Sequence, residues 1–302
     1  MKKNRKLRRA WQVFGASLLA FTVFISLDTF VLTRSYQSSA VNMNTSVFEP
    51  AETSESVNSA DAASSADYSD GNITVTMSEY EYENTAVYVA DVQLSSAEYL
   101  KTAFAKNTYG KNVTETTSSM AENNNAVLAI NGDYYGVQER GYVIRNGVVY
   151  RDKAGTYEVL CIFADGSMKV VDPADYTAQE LVELGVWQAF SFGPGLVEEG
   201  SVAVSENDEV GRAKASNPRT AIGMISPLHY VFVVSDGRTG ESEGLSLYQL
   251  AQFMRELGVQ TAYNLDGGGS STMVFMGQLI NNPTGSGNKI KERAVSDIVY
   301  IG

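Results

Sequence analysis

The chain has 302 residues, 44% of them hydrophobic, and its formal net charge at pH 7 is −12, from 23 Lys and Arg against 35 Asp and Glu. Such an acidic chain lacks the broad basic face that nucleic acid binding requires, so we expect no nucleic acid partner. A single cysteine, Cys161, excludes an internal disulfide framework, and its apolar surroundings (EVLCIFAD) predict a buried structural thiol.

The first 32 residues predict a membrane anchor. Residues 1–9 carry six basic side chains and no acidic one, and residues 10–32 contain no Lys or Arg. A 23-residue stretch can span a bilayer as a helix. The positive-inside rule then keeps the basic tail in the cytoplasm and exports the rest, which predicts a single-pass cell-membrane protein with an extracellular C-terminal domain. The alternative is a cleaved signal peptide, because the purely apolar part before Asp28 is only as long as a signal-peptide core.

A Ser-rich segment follows the predicted anchor. Residues 33–72 have little periodic apolar content and are predicted to be a disordered linker. From Ile73 the apolar residues alternate, so we place a single folded domain at 73–302, a normal size for one domain.

Strand signals dominate this domain. The sequence predicts, in chain order, strands at 73–80 and 85–94, a helix at 95–107, a short helix near 116–123, a buried strand within 125–136, a hairpin at 142–150, strands near 157–164, 168–171 and 187–192 with a helix at 177–185, a strand pair at 217–226 and 229–238, an amphipathic helix at 245–258, and strands near 260–265, 271–276 and 294–301. Ser95 or Ser96 would cap the first helix, and Asn146-Gly147 supplies the hairpin turn. Many strands with few helices predict an α+β fold of mixed or largely antiparallel sheets.

Polar clusters follow several of these strands: INGDYYG, NPRTAIG, SDGRTG and NLDGGGSST. Binding residues concentrate on loops that rigid strands position. The glycine run Gly267–Gly269 lacks the Lys-Ser/Thr of a phosphate-binding loop and the following helix of a dinucleotide fingerprint. An acid, three glycines and two hydroxyl residues between strands therefore predict a tight turn, whose bare backbone lets an anionic ligand approach Asp266.

The candidate catalytic groups are narrowed by residue types that are missing. His229 is the only histidine, and its place at the start of an alternating strand favours a structural or surface role over a Ser-His-Asp triad. Histidine-rich metal sites are excluded. No cofactor is required, but a divalent cation with oxygen ligands, such as Ca²⁺, is still compatible with the sequence. Proton transfer therefore falls to carboxylates, chiefly Asp133, Asp236 and Asp266, and paired carboxylates are what glycoside cleavage usually needs.

Several segments together resemble the phosphodiester glycosidase family over about residues 73–302. They are INGDYY, FSFGPGLV, NPRTAIG, VVSDGR, LSLYQLAQFMRELG, AYNLDGGGSSTMVF and NNPTG with ERAVSDIVYIG. The resemblance implies hydrolysis of the bond between a sugar's anomeric carbon and a phosphodiester oxygen. It implies catalytic carboxylates at Asp266, Asp133 and Asp236, although Asp133 stands where many members have a second glycine. The implied substrate-binding residues are Asn131, Arg219, Arg238, Asn264, Gly267, Gly268, Ser270, Thr272 and Arg293.

We therefore predict an extracytoplasmic hydrolase that acts on sugar-1-phosphodiesters of a cell-surface or exopolysaccharide glycan. One alternative is a non-catalytic glycan-binding or exopolysaccharide-assembly protein that uses the same pocket. Another is a phosphodiesterase that cleaves the P–O bond. The residues do not show which sugar is bound or whether its anomeric configuration is retained or inverted. They also do not show which carboxyl group is the acid and which is the base, or which oligomeric state the protein adopts.

Overall fold

Antiparallel sheets surround a shared apolar core in a computed structural model that describes residues 2–36, 63–206, 216–285 and 289–302. The helices are α1 (Lys2–Phe30), α2 (Thr117–Asn123), α3 (Ala178–Glu183) and α4 (Leu247–Glu256). The strands are β1 (Arg34–Ser35), β2 (Ala63–Ser69), β3 (Ile73–Glu81), β4 (Ala86–Leu94), β5 (Leu100–Phe104), β6 (Gly110–Lys111), β7 (Leu128–Asn131), β8 (Val143–Arg145), β9 (Val148–Arg151), β10 (Val159–Phe163), β11 (Met168–Val171), β12 (Val186–Phe190), β13 (Gly195–Glu198), β14 (Ser201–Val202), β15 (Arg219–Ser226), β16 (His229–Ser235), β17 (Thr261–Asn264), β18 (Met273–Phe275), β19 (Gln278–Leu279) and β20 (Asp297–Ile301).

The largest sheet has eight strands in the order β14-β13-β17-β15-β16-β4-β3-β2. Two five-stranded sheets have the orders β11-β10-β12-β8-β9 and β19-β18-β7-β20-β5, and β1 pairs with β6. The strand pairs described are antiparallel. The prediction of an α+β domain built from largely antiparallel sheets is confirmed.

Strand β16 shows how the eight-stranded sheet is buried on both faces. Tyr230, Phe232 and Val234 face the core that the three large sheets share. Val231 and Val233 point to the other face, which α4 covers. Because successive side chains on a strand alternate between faces, a strand buried on both sides reads as one continuous apolar run. Helices α3 and α2 cover the two five-stranded sheets in the same way.

Helix α4 forms where the amphipathic pattern predicted it. Ser246 caps its first turn in a capping box with Gln249, which satisfies backbone N–H groups at the helix start. Leu250 and Phe253 are buried against the sheet. Gly258 follows the last turn with φ +84°, a conformation that glycine adopts without steric cost.

The helix predicted at 95–107 is wrong. The structure has a 3₁₀ turn at Ala97–Tyr99, capped by Ser96, and then strand β5. Strand β5 pairs along its length with β20, and Leu100 and Thr102 are buried on alternate positions. Pairing with a strand almost two hundred residues away therefore overrides the local helix signal.

Strand structure begins before Ile73, inside the segment predicted as a linker. Residues Ala63–Ser69 form the edge strand β2, in which Tyr68 pairs with Val75 of β3. Edge pairing uses backbone hydrogen bonds and needs no apolar run, so composition does not reveal it. Residues 37–62 of the predicted linker lie outside the described residues.

Helix α1 contains a stretch, Trp11–Thr29, of mean hydropathy 1.4 that is not buried in the protein and is long enough to cross a membrane. A signal sequence would have the same properties. The end of this helix and the chain after it contact the domain: Asn112 Nδ2 donates to the carbonyls of Thr29 (3.2 Å) and Leu32 (3.0 Å), and β1 pairs with β6.

A buried cluster of one cation and two acids links the sheets. Arg145 donates from Nη2 to Asp133 Oδ1 at 2.9 Å and to Asp297 Oδ2 at 2.8 Å. All three side chains are at most 2% exposed. Burial, assisted by the negative charge of Asp133, raises the pKa of Asp297 to about 7 from its ordinary value of 3.8.

We predict that Asp297→Asn increases the stability of the protein, relative to the parent, more at alkaline pH than at acidic pH. The folded carboxyl keeps its proton up to about pH 7 whereas the unfolded chain releases it near 3.8, so this group's stabilising contribution is present at low pH and is lost as the pH rises between those values. The amide mimics the protonated acid at every pH. The difference in melting temperature, variant minus parent, should therefore increase by several degrees from pH 5 to pH 8. The exposed Asp175→Asn is the control, and a pH-independent difference for Asp297→Asn would contradict the assignment.

Candidate active site

A cavity of about 320 Å³ lies at the edge of the eight-stranded sheet where β15 begins and β16 and β17 end. Antiparallel neighbours bring the start of one strand beside the end of the next, so loops distant in sequence meet here. The cavity is lined by Gln138, Tyr157, Phe192, Gly193, Asn217, Arg219, Arg238, Leu247, Asn264, Asp266, Gly267, Gly268 and Arg293. Seven of the predicted site residues are among them: Arg219, Arg238, Asn264, Asp266, Gly267, Gly268 and Arg293.

Among the described residues that line this cavity, Asp266 is the one with a carboxyl group. Its Oδ2 accepts hydrogen bonds from Ser270 Oγ at 2.6 Å and from Arg293 Nη2 at 2.9 Å. Burial raises the pKa of Asp266 above its ordinary value, and the charge of Arg293 and the bond from Ser270 oppose that rise. Arg293 also donates from Nε to Ser270 Oγ at 2.8 Å, so the two groups hold the carboxyl in one orientation.

Asn131 fixes the backbone of Asp266. Its Nδ2 donates to the Asp266 carbonyl at 2.6 Å, and its Oδ1 accepts from Thr220 Oγ1 at 2.8 Å and from the Thr272 amide at 3.2 Å. The side chain is fully buried and does not line the cavity. Asn131 and Thr272, both predicted to bind substrate, thus hold the loop that carries Asp266.

The glycine turn has no side chains at the points where Pro218 and Arg238 contact it. The Gly268 amide donates to the Pro218 carbonyl at 2.8 Å, and a Cβ on Gly267 would lie 3.0 Å from that same oxygen. Gly268 has φ +62°, and a Cβ there would lie 2.8 Å from Arg238 Nη2. The glycines therefore let the start of β15 and the Arg238 guanidinium pack directly on the turn.

Arginine side chains give the cavity its positive charge. Arg219 is buried, and its Nε donates to the Leu245 carbonyl at 2.8 Å. Arg238 is half-buried and donates from Nε (3.1 Å) and Nη2 (2.9 Å) to Asn217 Oδ1. With Arg293, three cations surround one carboxylate, an arrangement that suits a ligand with negative charge.

Asn264 adds an uncharged polar group to the cavity wall. It is 3% exposed, and its Nδ2 donates to the Gly193 carbonyl at 2.8 Å. Its Oδ1 has no hydrogen-bond partner among the described residues. A buried acceptor without a partner costs free energy unless a ligand or water satisfies it.

The other two predicted catalytic acids lie outside the cavity lining. Asp133 belongs to the buried Arg145 cluster and also accepts from the Ser191 amide at 2.9 Å. Asp236 accepts from the Asn282 amide at 2.8 Å and from Tyr88 Oη at 3.3 Å. Both carboxylates therefore hold loops together, and a catalytic role for either one stays a prediction.

Two further predictions from the sequence have outcomes in the structure. His229 pairs with Asp91 on the neighbouring strand, with Nε2 to Oδ2 at 2.9 Å, and does not line the cavity. Cys161 is buried, and burial raises the pKa of its thiol to about 12, so it stays protonated at neutral pH. It is the buried thiol that the sequence predicted.

Sequence reasoning did not name part of the cavity wall as site residues, namely Gln138, Tyr157, Phe192, Gly193, Asn217 and Leu247. Asn217 could have been predicted, since it directly precedes Pro218 and Arg219 in NPRTAIG, one of the polar clusters of the sequence. Within the described part of the chain, no three His, Cys, Asp or Glu side chains come close enough to hold a metal ion. Binding of Ca²⁺ stays a prediction.

Comparison with known proteins identifies a family for this chain. A family model described as phosphodiester glycosidase matches residues 124–302. The chain is 33% identical over 199 residues to the SPbeta prophage-derived uncharacterized protein YomE of Bacillus subtilis (strain 168), covering 64% of this chain and 30% of that protein. It is 32% identical over 120 residues to the N-acetylglucosamine-1-phosphodiester alpha-N-acetylglucosaminidase of Mus musculus, covering 38% of this chain and 23% of that enzyme. The chain thus spans less than a third of either relative.

Solved structures share the fold. The zebrafish N-acetylglucosamine-1-phosphodiester alpha-N-acetylglucosaminidase catalytic domain, auto-inhibited by its pro-peptide, aligns with a TM-score of 0.61 at 21% identity, over 80% of this chain and 86% of that one. A hypothetical protein from Synechocystis also aligns with a TM-score of 0.61, at 15% identity, over 80% of this chain and 64% of that one. At these identities the alignments show the fold alone.

We predict that Gly268→Ala weakens binding of a sugar 1-phosphate, because the new methyl group must displace the Arg238 guanidinium. The positive φ also costs stability, on the order of 1–2 kcal/mol. Gly277→Ala is the matched control: its φ is +76°, but no atom lies within 4 Å of the added Cβ. Both variants should melt at lower temperature, and only Gly268→Ala should lose affinity in titration calorimetry. Equal affinities would show that the position of Arg238 is not needed for binding.

Proposed function

Because the chain belongs to the phosphodiester glycosidase family, we propose that it hydrolyses the bond between the anomeric carbon of a sugar and the oxygen of a phosphodiester. The observation that carries the proposal is the oriented, buried carboxyl of Asp266 in a cavity with three arginine side chains. The carboxylate is the group that can activate water or attack carbon, and the arginines are the groups that can hold a phosphate. All of these residues lie within the stretch that matches the family.

The chemistry of the leaving group explains how one carboxylate can suffice. Ordinary glycoside hydrolysis uses a second carboxyl group to protonate the departing alcohol. Here the departing group is a phosphate monoester, which is stable as an anion and needs no proton. Water adds to the anomeric carbon, the carbon–oxygen bond breaks with its electrons going to the phosphate, and Asp266 takes the proton from the water. The products are the free sugar and a phosphate monoester.

The arginines have a separate part in this reaction. Arg238 is oriented by Asn217, and Arg219 is anchored to the Leu245 carbonyl. Donors that are fixed before the substrate arrives stabilise developing negative charge without reorganising. We assign them to the phosphate, which gains charge as the bond breaks. Asn264 Oδ1 then accepts a hydrogen bond from a hydroxyl group of the sugar.

The setting of the reaction follows from helix α1. We propose that α1 anchors the chain in the cell membrane, with the basic residues 1–9 in the cytoplasm and the domain outside. The substrate is then a phosphodiester-linked glycan of the cell surface or of an exopolysaccharide. N-acetylglucosamine is the first sugar to test, because the mouse relative is named for it.

Hydrolysis in water labelled with ¹⁸O tests the reaction type directly. If the carbon–oxygen bond breaks, the phosphate monoester that is released contains no label. Label in that product would instead identify a phosphodiesterase that cleaves the P–O bond. Tight binding with no products from any sugar-1-phosphodiester would favour a non-catalytic glycan-binding protein.

We predict that Asp266→Asn lowers kcat by about 10²–10⁴-fold with little change in melting temperature, because a positioned base contributes that much. In the parent protein, activity should rise with pH through a pKa above 3.8, since the carboxylate form is required and its pKa is raised. Arg293→Gln removes the charge that opposes this rise, so it should move the acidic limb of the pH profile to higher pH. A limb that stays in place would exclude Asp266 as the group that titrates.

We predict that Arg238→Gln lowers kcat/KM for a sugar-1-phosphodiester by about tenfold or more, because a hydrogen bond to a charged group is lost. The loss should largely disappear with an uncharged aryl glycoside of the same sugar. Arg255→Gln, an exposed change on α4 with the same effect on net charge, is the control. Equal losses on both substrates would mean that Arg238 serves the sugar or Asp266 and does not contact phosphate.

A further inference from the structure

A second cavity of about 300 Å³ adjoins the first. Gln138 lines both cavities, and the loop that carries it runs between them. Its backbone carbonyl accepts from Arg151 Nη1 at 2.6 Å, so a residue of the second cavity holds the residue that the cavities share. A ligand in the first cavity that extends past Gln138 would enter the second.

The second cavity is cationic in an acidic protein. Lys111, Arg151 and Lys153 line it together with a single acid, Glu139, so its lining carries a formal charge of +2. The whole chain carries −12. Lys111 Nζ lies 3.9 Å from Glu139, whereas the exposed Lys153 side chain has no ion pair or hydrogen bond with any described residue.

Arg151 is held in place with spare hydrogen-bonding capacity. Its Nε donates to the Gly141 carbonyl at 2.6 Å, and its Nη1 donates to the carbonyls of Gln138 and Tyr135. Its Nη2 is buried and has no hydrogen-bond partner among the described residues. An arginine kept positive and bonded only to neutral carbonyls is a fixed charge that an anion can neutralise.

Tyrosine side chains form the rest of the wall. The rings of Tyr109 and Tyr135 stack with centroids 5.2 Å apart, and Tyr150 and Tyr36 pack against Tyr109 at 5.1 and 5.7 Å. A rigid aromatic surface with a few polar groups suits a sugar or polyol better than an aliphatic chain.

On the basis of the proposed function, we propose that the second cavity binds the next unit of the substrate, a sugar or polyol that carries a second anionic group. The substrate class is then a glycan with more than one negative charge, in which the phosphodiester occupies the first cavity and the neighbouring anion occupies the second. The two cavities together present two net positive clusters that share Gln138, as a ligand with two anionic groups requires.

This second site depends on the N-terminal segment. Tyr36, a wall residue, follows α1 by only a few residues, and its amide donates to the Tyr109 carbonyl at 2.7 Å. Tyr36, Tyr109 and Lys111 all precede residue 124, where the family match begins. Tyr36, in the segment that joins α1 to the domain, therefore contributes to recognition of the extended substrate.

Binding to the full chain carrying Asp266→Asn tests the proposal without turnover. The probes are four N-acetylglucosamine-1-phosphodiesters whose second alcohol is methanol, glycerol, glyceric acid or glycerol 3-phosphate. Dissociation constants are measured in detergent by titration calorimetry, alone and with Lys153→Ala added. Lys169→Ala, an exposed lysine on β11 that does not line the cavity, is the matched control.

We expect the glycerol 3-phosphate probe to bind more tightly than the methyl and glycerol probes, and Lys153→Ala to weaken only the probes that carry a second anion, by about two- to fivefold, the range for an exposed charge pair. Tyr36→Ala should weaken binding of the same probes. Tighter binding of the glycerate probe than of the phosphate probe would assign the second anion as a carboxylate, within the same proposal. Equal affinity for all probes, no binding of the charged ones, or equal effects of Lys153→Ala and Lys169→Ala would overturn it. Failure of the parent protein to hydrolyse any probe would refute the proposed function and leave this binding comparison intact.

Discussion

The buried amide of Asn131 joins the parts of the molecule from which the cavity is made. It lies at the end of β7 and bonds to the Thr220 side chain on β15, to the carbonyl of Asp266 and to the amide of Thr272. An amide can satisfy donors and acceptors at once, and a buried one is costly unless both ends are bonded. The Asp266 loop is therefore held to two different sheets. The position of the carboxyl group relative to Arg219 and Arg238 follows from this one side chain and from the glycines beside it.

Three acids that look alike in sequence have different environments. Asp133 is neutralised by Arg145, and Asp236 accepts several hydrogen bonds from the loop at Asn282. Asp266 also has partners, Ser270 and Arg293, but Arg293 is half-exposed, and Asp266 and Arg293 both line the cavity. A carboxylate surrounded by protein donors on all sides has no room for a substrate. The same physical need, to satisfy a buried charge, thus gives Asp133 and Asp236 protein partners away from the cavity and leaves the oriented Asp266 carboxyl at the cavity wall.

The distribution of positive charge separates the two cavities from the rest of an acidic chain. Arginines concentrate at the first cavity, and lysines with Arg151 concentrate at the second. Repulsion between the acidic surface and an anionic glycan would disfavour contact elsewhere, so the cavities are where such a polymer can approach. The tyrosine-lined junction with the N-terminal segment places the second cavity beside the end of α1. A chain fixed to a membrane there would meet its substrate close to that surface.

Local patterns in the sequence determined most of the elements. The strand pair β15–β16, the Asn146-Gly147 hairpin and helix α4 all formed where alternation, turn residues and the amphipathic pattern predicted them, because those signals act over a few residues. The glycine run beside Asp266 and the arginines were visible for the same reason. Tertiary structure alone decided the rest. Strand β5 forms because it pairs with β20, and β2 forms by backbone pairing at the edge of a sheet. Whether Asp133, Asp236 or Asp266 faces the cavity depended on which distant donors surround each one. That information lies in contacts between residues far apart in the chain, which no local pattern of residue types encodes.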